Sequence, residues 1–133
     1  MAEQILFELV SPERLLFSKN AAMVVMPGDA GVFGVLAGHA PIISSLGAGV
    51  VDIYEQNETS VTDRYFVAGG FAEVDGKSCT ILAEQATPVS ELDKDSIVQE
   101  IKSLNEMLAA APEEKKAEIE AKLVIARAKL AAI

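Results

Sequence analysis

Apolar side chains at Ile5, Phe7 and Leu9 alternate with Gln4, Leu6 and Glu8, the period of a strand with one buried face. Short runs of the same kind follow at Ala21 to Met26, Val32 to Leu36, Pro41 to Leu46, Val50 to Tyr54, Val61 to Ala68, Phe71 to Val74 and Cys79 to Ala83. Turn residues separate them. Asp75-Gly76 predicts a tight type I′ hairpin, which needs positive φ at both central positions. After Pro88 the period changes: Ile97, Ile101, Leu104 and Leu108 fall four, three and four apart, and Ile119, Leu123, Ala126 and Leu130 repeat a helical stripe. Ser90-Glu91-Leu92-Asp93 resembles a capping box and predicts the first helix start. Pro112 suits the first position of the second helix, where its missing N–H costs nothing.

Composition sharpens this division. All nine glycines lie at or before Gly76 and all seven aromatics at or before Phe71, whereas the last third is rich in Ala, Glu, Lys and Leu. The fold expected is therefore β then α: an antiparallel β-sandwich, or flattened barrel, over residues 1–87, followed by an antiparallel two-helix hairpin over residues 88–133. A hairpin of this size has one internal interface and must lean on something else.

The chain has 133 residues and a net charge of −9, which removes bulk positive charge as a means of gripping phosphate and argues against nucleic acid as a partner. Cys79, the single cysteine, has no internal partner for a disulfide. No basic-then-apolar leader precedes Arg14, so no signal peptide is expected. The uncharged run Ala30 to Val51 has membrane length but is broken by five glycines and Pro41, so it reads as strands and turns without membrane insertion.

Chemistry is sparse. One histidine and one cysteine make neither a triad nor a metal site, and none is expected. His39, in Gly38-His39-Ala40-Pro41, reads as a ring capping a turn, and Cys79 as a small buried hydrophobe. Pro27-Gly28-Asp29-Ala30-Gly31-Val32-Phe33-Gly34 lacks the Lys-Ser/Thr and following helix of a phosphate loop. Asp29 alone is weak evidence for a metal, since a hard cation needs several converging oxygens. Two rivals remain from the residues: a ligand-binding or enzymatic pocket using Asp29 and His39, and a free-standing adaptor. An apolar interaction surface explains more of the chain.

The segment Pro27 to Pro41, PGDAGVFGVLAGHAP, resembles the epsilon subunit family of bacterial F-type ATP synthase, called delta in mitochondria. Phe66 to Val74, FVAGGFAEV, is similar to a Gly-Gly-Phe-x-Glu-Val segment of that family, and Leu82-Ala83-Glu84 to its next strand. The resemblance implies a non-catalytic central-stalk subunit that binds the gamma subunit and the ring of c subunits, coupling proton-driven rotation to ATP synthesis. It places the protein peripherally on the cytoplasmic face of the bacterial inner membrane. It implies ring contacts at Asp29, Ala30, Gly31, Val32 and Phe33, and gamma contacts at His39, Ala40, Pro41, Ile42 and Ile43. In many relatives the hairpin alternates between docking on the sandwich and reaching the alpha and beta subunits as a brake. Some relatives bind ATP through Ile/Leu-Asp-x-x-Arg-Ala. This chain has Leu92-Asp93-Lys94-Asp95-Ser96-Ile97, so Ser96 replaces the bidentate arginine and only Asp93 and Arg127 remain to hold a nucleotide. Weak or absent ATP binding and no resident cofactor are expected. Five basic and four acidic residues on the second helix predict a docked hairpin and a weak brake.

Overall fold

A computed structural model describes residues 3–133. The first two residues of the expected sandwich span lie outside them. The strands are β1 (Ile5–Val10), β2 (Leu15–Ala21), β3 (Met23–Gly28), β4 (Gly31–Val35), β5 (Ile42–Ser45), β6 (Gly49–Tyr54), β7 (Asp63–Val74) and β8 (Ser78–Pro88). A single 3-10 turn (Val89–Glu91) leads into α1 (Lys94–Ala110) and α2 (Glu113–Ala131). The strands hydrogen-bond in the order β2-β1-β8-β7-β6-β3-β4, with β5 joined to β7. All pairs are antiparallel except β1 with β8, which run parallel. The path closes on one apolar core containing Ile5, Phe7 and Leu9 of β1, Val24 and Met26 of β3, Val51 and Ile53 of β6, and Cys79 and Ile81 of β8. Among the described residues no polar or charged side chain is buried. Desolvation holds the Cys79 thiol up at about 12, so it is an inert part of this core.

β7 decides the shape. Its first half pairs with β6 (Val50↔Phe66, Val51↔Tyr65) and its second half with β5 (Ser45↔Phe71, Ile43↔Glu73). The change of partner occurs at Gly69 and Gly70, at φ +74° and +108°. The inward positions shift there from odd Val67 to even Ala72 and Val74. The two runs Val61 to Ala68 and Phe71 to Val74 are thus one bent strand.

Four local expectations are corrected. Strand β2 was absent from the apolar runs because only Phe17 and Ala21 of its seven residues are buried. The β7–β8 turn is not type I′, since only Gly76 takes positive φ; the Asp75 carboxylate instead accepts the N–H groups of Lys77 (2.9 Å) and Ser78 (2.7 Å). Ser90 lies in the 3-10 turn, and Asp93 is the residue before α1. Pro112 stands one position outside α2, with its carbonyl accepting the N–H of Lys115 at 3.0 Å.

The helices pack through Leu104, Ile119, Leu123 and Ala126, with Ile101 and Leu108 beside them. Another face of α2 rests on the sandwich: Ile125 and Ala128, with Ala132 just past the helix end, meet Phe66, Ala68, Ala48 and Val50, joined by Leu92. Lys129 Nζ lies 5.9 Å from the Phe66 ring centroid, a cation–π contact. The hairpin is docked.

Candidate interaction surface

The residues expected at the ring form the tip of the β3–β4 hairpin. Gly28 pairs with Gly31, leaving Asp29 and Ala30 as the turn, and Gly31 takes φ +133°. Asp29, Ala30, Gly31 and Val32 are exposed, Val32 at 73%. Phe33 differs: it is half-buried and packs against the main core, so the apolar tip is Val32. The hairpin is clipped to the end of β5 by Asp29 N–H donating to Ser45 O (3.0 Å) and Gly47 N–H to Pro27 O (2.8 Å).

The segment from His39 to Ile43 is divided between two directions. His39 Nδ1–H donates to Ala40 O at 2.7 Å, a ring folded onto its own loop, and Gly38 N–H donates to Gly76 O at 2.8 Å. Ala40 and Pro41 are exposed; Ile42 packs against the core, while Ile43 stands outward at 73% exposure. Asp29 and His39 lie on separate loops, and neither lines the clefts at β7–β8 or beside β5.

Register shows what surrounds Ile43. Outward positions of β5, β7, β8 and β1 line up as Ile43, Glu73, Thr80 and Glu8, and in the next row as Ser45, Phe71, Leu82 and Val10. Phe71 and Leu82 are direct cross-strand partners, each 39% exposed, and Leu15 of β2 extends the row at 52%. A groove of about 250 Å³ runs beside them, lined by Val10, Pro12, Gly70, Phe71, Leu82 and Glu84. Single exposed apolar residues are ordinary, but a contiguous band across four strands marks an interaction face. Sequence reasoning named Ile43 and missed Phe71, Leu82 and Val10. The signal was present in the Gly69-Gly70 pair, which reverses the parity of β7 and sends Phe71 outward.

Asp93 and Arg127 are not joined. The Asp93 carboxylate accepts a hydrogen bond from Ser96 Oγ at 2.7 Å, and that bond holds its pKa below the usual carboxylate range. Arg127 is exposed and makes no ion pair among the described residues. No group of three or more metal-ligating side chains occurs among those residues.

The family model of the ATP synthase Delta/Epsilon chain beta-sandwich domain matches residues 4–89. The chain belongs to that family. An ATP synthase epsilon chain of Rhodospirillum centenum is 47% identical, over 98% of this chain and 92% of its own length. That of Rhodospirillum rubrum is 45% identical, over 99% and 98%. Among solved structures, the Euglena gracilis mitochondrial ATP synthase (OSCP/F1/c-ring, rotational state 1) contains a chain that matches with a TM-score of 0.85 and 26% identity. The match covers 97% of this chain and 81% of that one. A chain of the Tetrahymena thermophila mitochondrial ATP synthase central stalk and c-ring shares the fold, at TM-score 0.56 and 13% identity, over 67% and 69%. Membership of that family makes the chain a non-catalytic subunit. No helix of the described residues is long and apolar enough to cross a membrane.

Proposed function

We propose that this epsilon-family chain works in the central stalk as a rigid coupling between the gamma subunit and the c-ring, at the cytoplasmic face of the bacterial inner membrane. The observation that carries the proposal is the outward Phe71–Leu82 pair, set in a face that also holds Ile43 and Val10. A half-exposed aromatic–aliphatic pair on a sheet gains most by losing its remaining water contact against a partner, and a sheet presents it without ordering cost. That face is assigned to gamma. The Val32 tip, with Asp29, Ala30 and Gly31, is assigned to the polar loops of the ring. A matching chain in an F1/c-ring assembly supports work beside the ring, and the division of residues between the two partners rests on which side chains stand outward.

The hairpin is the element able to reach the alpha and beta subunits, but here it rests on the sandwich through Phe66, Ala132 and Lys129. With no net charge of consequence on α2, it serves as a weak brake. ATP is not held strongly, because Ser96, standing where the resemblance expects arginine, supplies no cation and ties up Asp93 instead.

Co-purification of tagged full-length chain with its cognate gamma subunit tests the reading. Wild type is expected to form a stable complex, and Phe71→Asp with Leu82→Asp to lose it while still folding. Complex formation unaffected by that pair of substitutions would remove the face from the function.

A further inference from the structure

The apolar row on the outer face is bordered by carboxylates. Glu73 and Glu8 occupy the row on one side of Phe71, Leu82 and Val10, separated by Thr80, and Glu84 lies on the other side, its side chain against Gly69. By strand spacing, Glu8 and Glu73 stand about 9–10 Å apart. None of the three forms an ion pair among the described residues; the one recorded polar contact is Ser18 Oγ donating to Glu8 Oε2 at 3.4 Å. The charge is local to this half of the molecule: through Pro88 there are eleven Asp and Glu against four Lys and Arg, and beyond it nine against seven.

An apolar anchor flanked on two sides by carboxylates without an ion pair suits one kind of partner. We infer that the surface docking here, which on the reading above is that of the gamma subunit, carries an apolar contact flanked on both sides by Lys or Arg side chains, and that Glu8, Glu73 and Glu84 steer its approach. The two kinds of residue then divide the work. Exposed charges at a rim raise the association rate and make it depend on salt, whereas the desolvated anchor sets how long the complex lasts. Ile43, directly opposite Glu73, belongs to the anchor.

The test is the rate of association of full-length chain with gamma at about 0.01 M and about 0.15 M salt, between which exposed charges pass from weakly to strongly screened. Wild type is expected to slow roughly tenfold or more across that range. Glu8→Gln, Glu73→Gln and Glu84→Gln together should slow association about tenfold at low salt, flatten its salt dependence, and change dissociation by less than about threefold. A control with Glu100→Gln, Glu106→Gln and Glu114→Gln alters net charge equally on the hairpin and should leave the rate within about twofold of wild type. Thermal melts check that each variant folds. Wild-type binding that is indifferent to salt, or a hairpin control as slow as the rim variant, overturns the steering while leaving the gamma face standing. Failure of wild type to bind gamma at all overturns the gamma assignment, and this inference falls with it.

Discussion

A methyl group at Gly70 would run into the Leu82 carbonyl oxygen of β8, and the residue sits at φ +108° besides. Alanine there meets two penalties, one from its own backbone and one from its neighbour's. Gly31, at φ +133° with open space around it, carries the first penalty alone. Gly31→Ala is therefore expected to cost about 1–2 kcal/mol and Gly70→Ala about 3 kcal/mol or more, read from denaturant midpoints. Equal losses at the two sites would mean that β7 bends for another reason. Asp75 offers a pH test at the same scale. The N–H groups of Lys77 and Ser78, with the Ser78 hydroxyl, hold its carboxyl below the ordinary value of 3.8. A depressed carboxyl contributes stability that is fully present above the unfolded-state value and disappears as pH falls through the lower folded-state one. The melting difference between wild type and Asp75→Ala should therefore be constant near neutrality and narrow below pH 3.8. A difference that stays constant into strong acid would show that the turn does not use the ionised carboxylate.

At the scale of elements, α2 serves two interfaces with neighbouring stripes. Ile119, Leu123 and Ala126 face α1; Ile125, Ala128 and Ala132 face Phe66 and Ala68 of β7. The second contact is made mostly by small side chains, so a single carboxylate should break it without disturbing the first. Ala128→Asp is expected to speed amide exchange in the 3-10 turn and the N-terminal turn of α1 by about tenfold or more while protection in β1, β7 and β8 persists. Unchanged exchange throughout would mean that the hairpin is held elsewhere. Both helical stripes could be read from three-and-four spacing, because each helix buries one face on its twin. The strands with clean alternation, β1 above all, were equally plain. β2 was hidden, since an edge strand with only Phe17 and Ala21 buried leaves no period to detect. Phe71 and Leu82 were hidden for the opposite reason: Cys79, Ile81 and Ala83 bury one face of β8 while Leu82 occupies the other, and a sequence with apolar residues on both faces does not say which belongs to the core. Only the register across the bend separates them.

Across the whole molecule, the two proposed surfaces are connected by a continuous run of main-chain bonds. The β3–β4 tip is fixed to the end of β5 through Asp29 N–H and Ser45 O; Ser45 is paired with Phe71 of β7; and Leu46 N–H donates to Gly70 O at 3.0 Å. A load applied at Val32 therefore reaches the Phe71–Leu82 face through hydrogen-bonded strands, without crossing the loop of residues 55–62 or the hairpin. This is the property a rotor coupling needs, since a compliant loop in the path would store the displacement instead of transmitting it. The arrangement also makes the two contacts separable by mutation. Val32 is 73% exposed, so Val32→Asp should change stability by no more than about 0.5 kcal/mol. It should leave the gamma complex intact while placing a charge at the tip proposed to meet the ring. After reconstitution of F1 containing this variant onto stripped membranes, gamma and the variant chain should still co-purify, whereas ATP-driven proton pumping should fall severalfold and retention on the membrane should weaken. Normal pumping and retention would remove the tip from the ring contact and leave the outer face as the only surface with a function. Loss of the gamma complex instead would show that tip and face are not independent, and that the path through β5 transmits a distortion as readily as a load.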